Sequence, residues 1–202
     1  MQNNDVNYTE QLLKRIEYLE ENQRFVENSL ESVLSLGDFQ ENIYSIKNPG
    51  NILQEAENRI SRLISFETRA IYIVDEDSSD FILSTCNPDT AGEMIEEEVL
   101  FMIENGFFAW VLREKRGVTI ASMDKSRQFV LHVIGNRSRI RGMFVGLLPE
   151  QKHSIPDTSR ILLSIILLNT ANALESLEFY DLLNNQKHIL EQKVKARTME
   201  LI

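Results

Sequence analysis

The chain has 202 residues and a mass of 23.4 kDa, room for one or two domains with a core that needs neither disulfide nor metal to hold it. A single cysteine, Cys86, excludes an intramolecular disulfide and the cysteine-rich zinc sites. A formal net charge of −10 and a pI of about 4.9 argue against nonspecific binding to nucleic acid or to an anionic membrane surface.

All 8 Gly and all 4 Pro fall between Gly37 and Pro156. Residues 1–36 and 157–202 are thus free of helix breakers, which predicts a mixed middle domain carried between two long helices. The opening MQNNDVNYTE is polar and lacks the apolar region of a signal peptide. The most apolar run, Ile161–Leu168, is followed by Asn169 and Asn172 and falls short of the roughly 18 residues of a membrane span. A cytoplasmic location is expected.

The N-terminal flank carries a heptad stripe. Leu12, Ile16, Leu19, Gln23, Val26, Leu30 and Val33 alternate spacings of four and three, and all but Gln23 are apolar. This is the seam of a dimeric coiled coil, with Gln23 at an a position as a weak register signal. The alternative is a solitary amphipathic helix packed on its own domain. Gly37 ends the stripe.

In the middle, residues 51–66 place Ile52, Leu53, Ala56, Ile60, Leu63 and Ile64 at helical spacing. Residues 70–74 and 81–84 read as strands joined by the turn cluster 75–80, with Pro88 closing the hairpin and Cys86 following the second strand. Two short helices, 93–105 and 107–115, are split at Gly106. Strands follow at 118–121, 129–134 and 140–148, the last two joined through Gly135-Asn136. The run 129–134 is apolar on both faces, as a central strand covered on both sides must be. The fold class read from this order is α+β: an antiparallel sheet with helices on both faces, flanked by long N- and C-terminal helices.

The closing helix begins near Asp157, an N-cap or first-turn acid after Pro156. Its first half is dense in apolar residues and should pack on the sheet. In its second half Tyr180, Leu183, Leu190, Val194 and Leu201 follow heptad spacing with Lys187 and Arg197 interposed, a weaker coil. The pattern still runs at Ile202, so an output domain is expected downstream.

No catalytic constellation stands out, and no enzyme is expected. There is no G-x-S-x-G, H-E-x-x-H or clustered-Gly phosphate loop, and Ser122-Met-Asp-Lys125 matches S-x-x-K without its partner motifs. Residues 75–80 begin like a calcium loop, but Asp80 stands where Gly is needed and Cys86 where the closing Glu belongs. Three features remain as candidate contacts. His132 is a hydrogen-bonded core or pocket-lining histidine, or else a ligand or haem contact. Cys86 is a buried small hydrophobe, or else a redox or attachment site. Arg137, Arg139 and Arg141 alternate and would share one face of a strand, either solvated and salt-bridged or forming a site for an anion or an acidic partner.

These segments resemble the GAF domain family. Gly106-Phe-Phe-Ala-Trp110-Val111 followed by Arg116-Gly117-Val118-Thr119-Ile120 is similar to the family's Gly and Trp-Val segment leading into a central strand. Gly142-Met-Phe-Val-Gly146-Leu is similar to the strand before the last helix. Ile155-Pro-Asp157-Thr, Leu162 and Ala171-Asn-Ala-Leu-Glu175 are similar to that helix. Residues 191–201 resemble the linker that joins sensory modules to histidine kinases or diguanylate cyclases. The resemblance covers roughly 37–178 plus that linker. Together with the heptads of the first flank, the resemblance implies a coiled-coil helix over 1–36, a sensory domain over 37–178 and a signalling helix over 179–202. It also implies a parallel homodimer that passes a ligand or redox signal through its helices to an output domain, as in two-component systems. The alternative is a degenerate GAF fold serving only as a dimerisation scaffold. The pocket residues it suggests are His132, Cys86, Trp110 and Arg139, and no cofactor is identified. Asn87 follows Cys86 where bilin-carrying members place His. The methionine sulfoxide reductases of the family use several cysteines, and the Asn-Lys pair of its cyclic-nucleotide binders is missing.

Overall fold

The computed structural model describes residues 11–16, 19–20, 23–24, 48–75, 77–151 and 154–200, with side chains described to residue 195. The chain divides into two units, Met1–Phe39 and Gln40–Ile202. In the first, the described residues are helical, and Leu12, Leu13, Ile16 and Leu19 are exposed. Gln23 is helical and exposed as well, whereas Val26, Leu30 and Val33 of the predicted seam lie outside the described residues.

The second unit opens with α1, Pro49–Leu63. Asn48 caps it, its side-chain oxygen accepting from the Gly50 N–H at 2.9 Å, and Pro49 occupies the first turn, where no amide partner is needed. Ile52, Leu53, Ala56 and Ile60 form its buried stripe. Strands β1 (Thr68–Val74) and β2 (Phe81–Asn87) make a hairpin with a register shift at Ile71/Tyr72. The second strand runs three residues beyond its predicted end, because ladder pairing continues to Arg69 opposite Asn87. Cys86 therefore lies inside β2, opposite Ala70, rather than after it. A short 3-10 turn at Asp89–Ala91 leads to α2, Gly92–Glu104, and α3, Phe107–Glu114. Gly106 joins these helices at φ 76°, a left-handed conformation that glycine adopts without strain.

Strands β3 (Val118–Ala121), β4 (Gln128–Gly135) and β5 (Ile140–Leu147) complete a five-stranded antiparallel sheet of order β2-β1-β5-β4-β3. The crossover that sets β5 beside β1 makes β5 central. At Gly142 an added Cβ would lie 2.1 Å from the Tyr72 carbonyl oxygen, so only glycine lets β5 approach β1 there. Phe129–Ile134 are all buried, as expected for a strand covered on both faces.

The last helix, α4, runs without interruption over Asp157–Glu200, 44 residues or about 66 Å at ~1.5 Å per residue. Residues Asp157–Lys195 include a stretch long and apolar enough to cross a membrane, more than the run Ile161–Leu168 alone indicated. The apolarity has a core explanation: Leu162, Leu163, Ile166, Leu167 and Ala171 are buried. Two apolar cores flank the sheet. One joins α1 and α4 to Ile71, Val130, Ile134 and Phe144. The other joins α2 and α3 to Ala70, Tyr72, Leu131, Met143 and Val145.

Candidate functional site

Strand alternation sends Val130, His132 and Ile134 toward α4. His132 is 3% exposed, and both ring nitrogens are engaged: Nδ1 lies 2.8 Å from the Val133 carbonyl and Nε2 2.7 Å from Ser164 Oγ. Ser164 in turn points at the Arg160 carbonyl, 2.9 Å away. Burial pulls the His132 pKa down, partly opposed by the Val133 carbonyl. A neutral imidazole and one hydroxyl supply two hydrogens for these three contacts, whereas an imidazolium supplies the third. Above the ring opens a cavity of about 220 Å³, with Lys115, Asn136, Arg137, Ser164 and Leu168 among its lining residues. Lys115 ends α3 at φ 53°, a position helices usually give to glycine.

The expected strand face of three arginines is not formed. Asn136 Oδ1 accepts from the Ser138 and Arg139 N–H groups, each at 3.0 Å, and curls residues 136–139 into a turn. Arg137 and Arg139 therefore sit in the hairpin loop, and Arg141 alone lies in β5. Arg139 and Arg141 converge on Glu178 of α4, the first at 3.2 Å. The Arg141 hydrogen bond is the main reason the Glu178 carboxyl lies below its usual range, with the charges of both arginines adding to it. One turn back on α4, Glu175 accepts from Asn136 Nδ2 and, at 2.9 Å, from Ser138 Oγ. The β4–β5 hairpin is thus clamped to α4 by two carboxylates. A second cavity of about 360 Å³ adjoins the clamp, bounded by Ile73, Arg139, Arg141, Leu174, Leu177 and Glu178.

Cys86 is half-buried on β2, its Sγ–H directed at the Pro88 carbonyl at 3.4 Å. Burial pushes its thiol pKa up, and the charges of Asp89, Glu57 and Glu96 push it further. The neighbouring Tyr72 hydroxyl is buried and makes no hydrogen bond, and its pKa is raised by that burial first, then by Glu96 and Cys86. Trp110, on the outer side of α3, is 37% exposed.

No family model matches the sequence, and no curated protein does. Solved structures do. A GAF domain/HD domain protein from Geobacter sulfurreducens superposes with a TM-score of 0.53 at 8% identity, covering 68% of this chain and 98% of its own. The GAF domain of a phosphoenolpyruvate-protein phosphotransferase from Coxiella burnetii gives 0.53 at 12% identity, covering 76% and 98%. Its counterpart from Acinetobacter gives 0.51 at 13%, covering 77% and 98%. The chain has a GAF-like fold.

Within this GAF-like fold the four predicted pocket residues do not meet. His132 lines the smaller cavity and Arg139 the larger, while Cys86 and Trp110 line neither. Both cavities lie on the α4 side of the sheet, away from α2. Sequence reasoning missed Lys115, Asn136 and Ser164 as lining residues. Ser164 carried a signal, as the one polar residue in the run ILLSIILL. Lys115 carried none, because its position depends on the left-handed turn that ends α3. Among the described residues, no three His, Cys, Asp or Glu side chains gather as a metal site.

Proposed function

We propose that the chain is a cytoplasmic, non-catalytic sensory module of the GAF type, a parallel homodimer that passes a signal through α4 to an output domain, as in histidine kinases or diguanylate cyclases. The continuity of α4 carries this reading. One unbroken helix is core at its start and solvent-exposed apolar stripe at its end, where Tyr180, Leu183, Leu190 and Val194 stand 46–66% exposed. A stripe at that spacing is what a second copy of the helix would cover. The clamp at Glu175 and Glu178 ties the sheet to the middle of the same helix, so a change at either cavity bears on its extension. A ligand acts this way only if it binds two helix arrangements with different affinity. Burial and the nearby carboxylates raise the Cys86 thiol, the opposite of the shift that activates a cysteine nucleophile.

Light scattering after size exclusion tests the assembly. A species of twice 23.4 kDa at tens of micromolar is expected, and a 23.4 kDa species would overturn the dimer. The scaffold alternative draws on the internal partners of His132, Arg139 and Arg141, which engage those side chains without a ligand.

A further inference from the structure

We propose that the cavity over His132 is a binding site for a small oxyanion, a carboxylate or phosphoryl group, held between Lys115 and Arg137. Its two cations come from different elements, Lys115 from the end of α3 and Arg137 from the β4–β5 turn, and both line the cavity. Among the described residues, no Asp or Glu lines that cavity. Neither cation has a carboxylate partner among the described residues, although the nearby Arg139, Arg141 and Arg160 are each paired. In a protein with 31 acidic and 21 basic side chains, two uncompensated cations over one cavity are a local reversal of charge. Like charges brought together repel unless an anion lies between them.

The floor is polar. Asn136 and Ser164 line the cavity, and the hydrogen-bond chain from Val133 through His132 and Ser164 to Arg160 is one hydrogen short while the imidazole is neutral. An anion at the mouth favours the imidazolium that completes the chain, so occupancy and protonation of His132 reinforce each other. The volume of about 220 Å³ gives room for a small oxyanion. The binding claim stands on this geometry alone. Its use as a signal rests on the sensory reading above.

Melting curves of the whole chain test the site, with inorganic phosphate or malonate exchanged for chloride at constant ionic strength. Either anion should raise Tm by several degrees at tens of millimolar, more at pH 6 than at pH 8 for malonate even though its second carboxyl is partly protonated at pH 6. Which anion gives the larger shift tells phosphoryl from carboxylate recognition. Lys115→Gln with Arg137→Gln, both exposed positions, should remove the shift, while Arg113→Gln elsewhere on α3 should keep it. No shift with either anion, or an equal shift in the double variant, would overturn the site. Light scattering on the same samples separates the two readings. An anion-dependent shift in a 23.4 kDa monomer keeps the site and sinks the dimeric module, and a dimer without a shift does the reverse.

Discussion

His132 shows how one side chain serves both core and cavity. It is buried among apolar neighbours, yet it bonds only to a carbonyl and a hydroxyl that favour different numbers of protons. The charged groups around it are Lys115, Arg137 and Arg160, all cations, with Asp157 paired to Arg160. The strand partner across the ladder, Phe144, is uncharged. With its pKa lowered in the folded state, the unfolded chain binds the proton more readily. Stability should therefore fall as pH drops below about 6.5, the ordinary histidine value, toward the folded pKa, by at most about 1.4 kcal/mol per pH unit. Urea denaturation at pH 7.5 and 5.5 measures it, and His132→Gln should flatten that dependence. The carboxylates Glu178 and Asp124, whose pKa values are also lowered, with Asp124 down to about 2, act only at more acid pH and in their own window, losing their contribution as pH falls through the folded values.

At the scale of elements, two contacts decide how the sheet meets its neighbours. Gly142 allows β5 to lie against β1. Gly142→Ala drives a methyl into the Tyr72 carbonyl and should cost about 3 kcal/mol, the upper end for overpacking, read from the urea midpoint. The hairpin clamp works through charge. Glu178→Gln leaves the largely buried Arg141 guanidinium without its carboxylate, and a loss of about 1 kcal/mol is expected because Glu178 itself is half exposed. The elements themselves were largely legible in the sequence: order and type follow from periodicity and from where Gly and Pro fall. The arginine face was not, since an Asx turn at Asn136 overrides the alternation that a strand reading assumes. Nor was the end of β2, which is set by its ladder with β1.

For the whole molecule, the same helix is spent twice. Leu163, Leu167 and Ala171 are fully buried, while Leu183 and Leu190 further along are 64% and 62% exposed. Neither belongs to the two apolar cores, so replacing both with Glu leaves those cores intact. The double variant should keep its melting behaviour as a folded unit and lose the dimer mass in light scattering. A variant that remains dimeric would move the interface to another surface.

What the amino-acid sequence determined by itself was the α+β order and the two unbroken flanks, because hydrophobic period and chain-breaking residues act over a few positions. It also placed His132 on the core face of a strand. Only the tertiary structure decided which charges meet. Arg141 finds Glu178, while Arg137 from the hairpin turn and Lys115 from the end of α3 line one cavity. Charge pairing depends on distances across the fold, and spacing along the chain does not encode them.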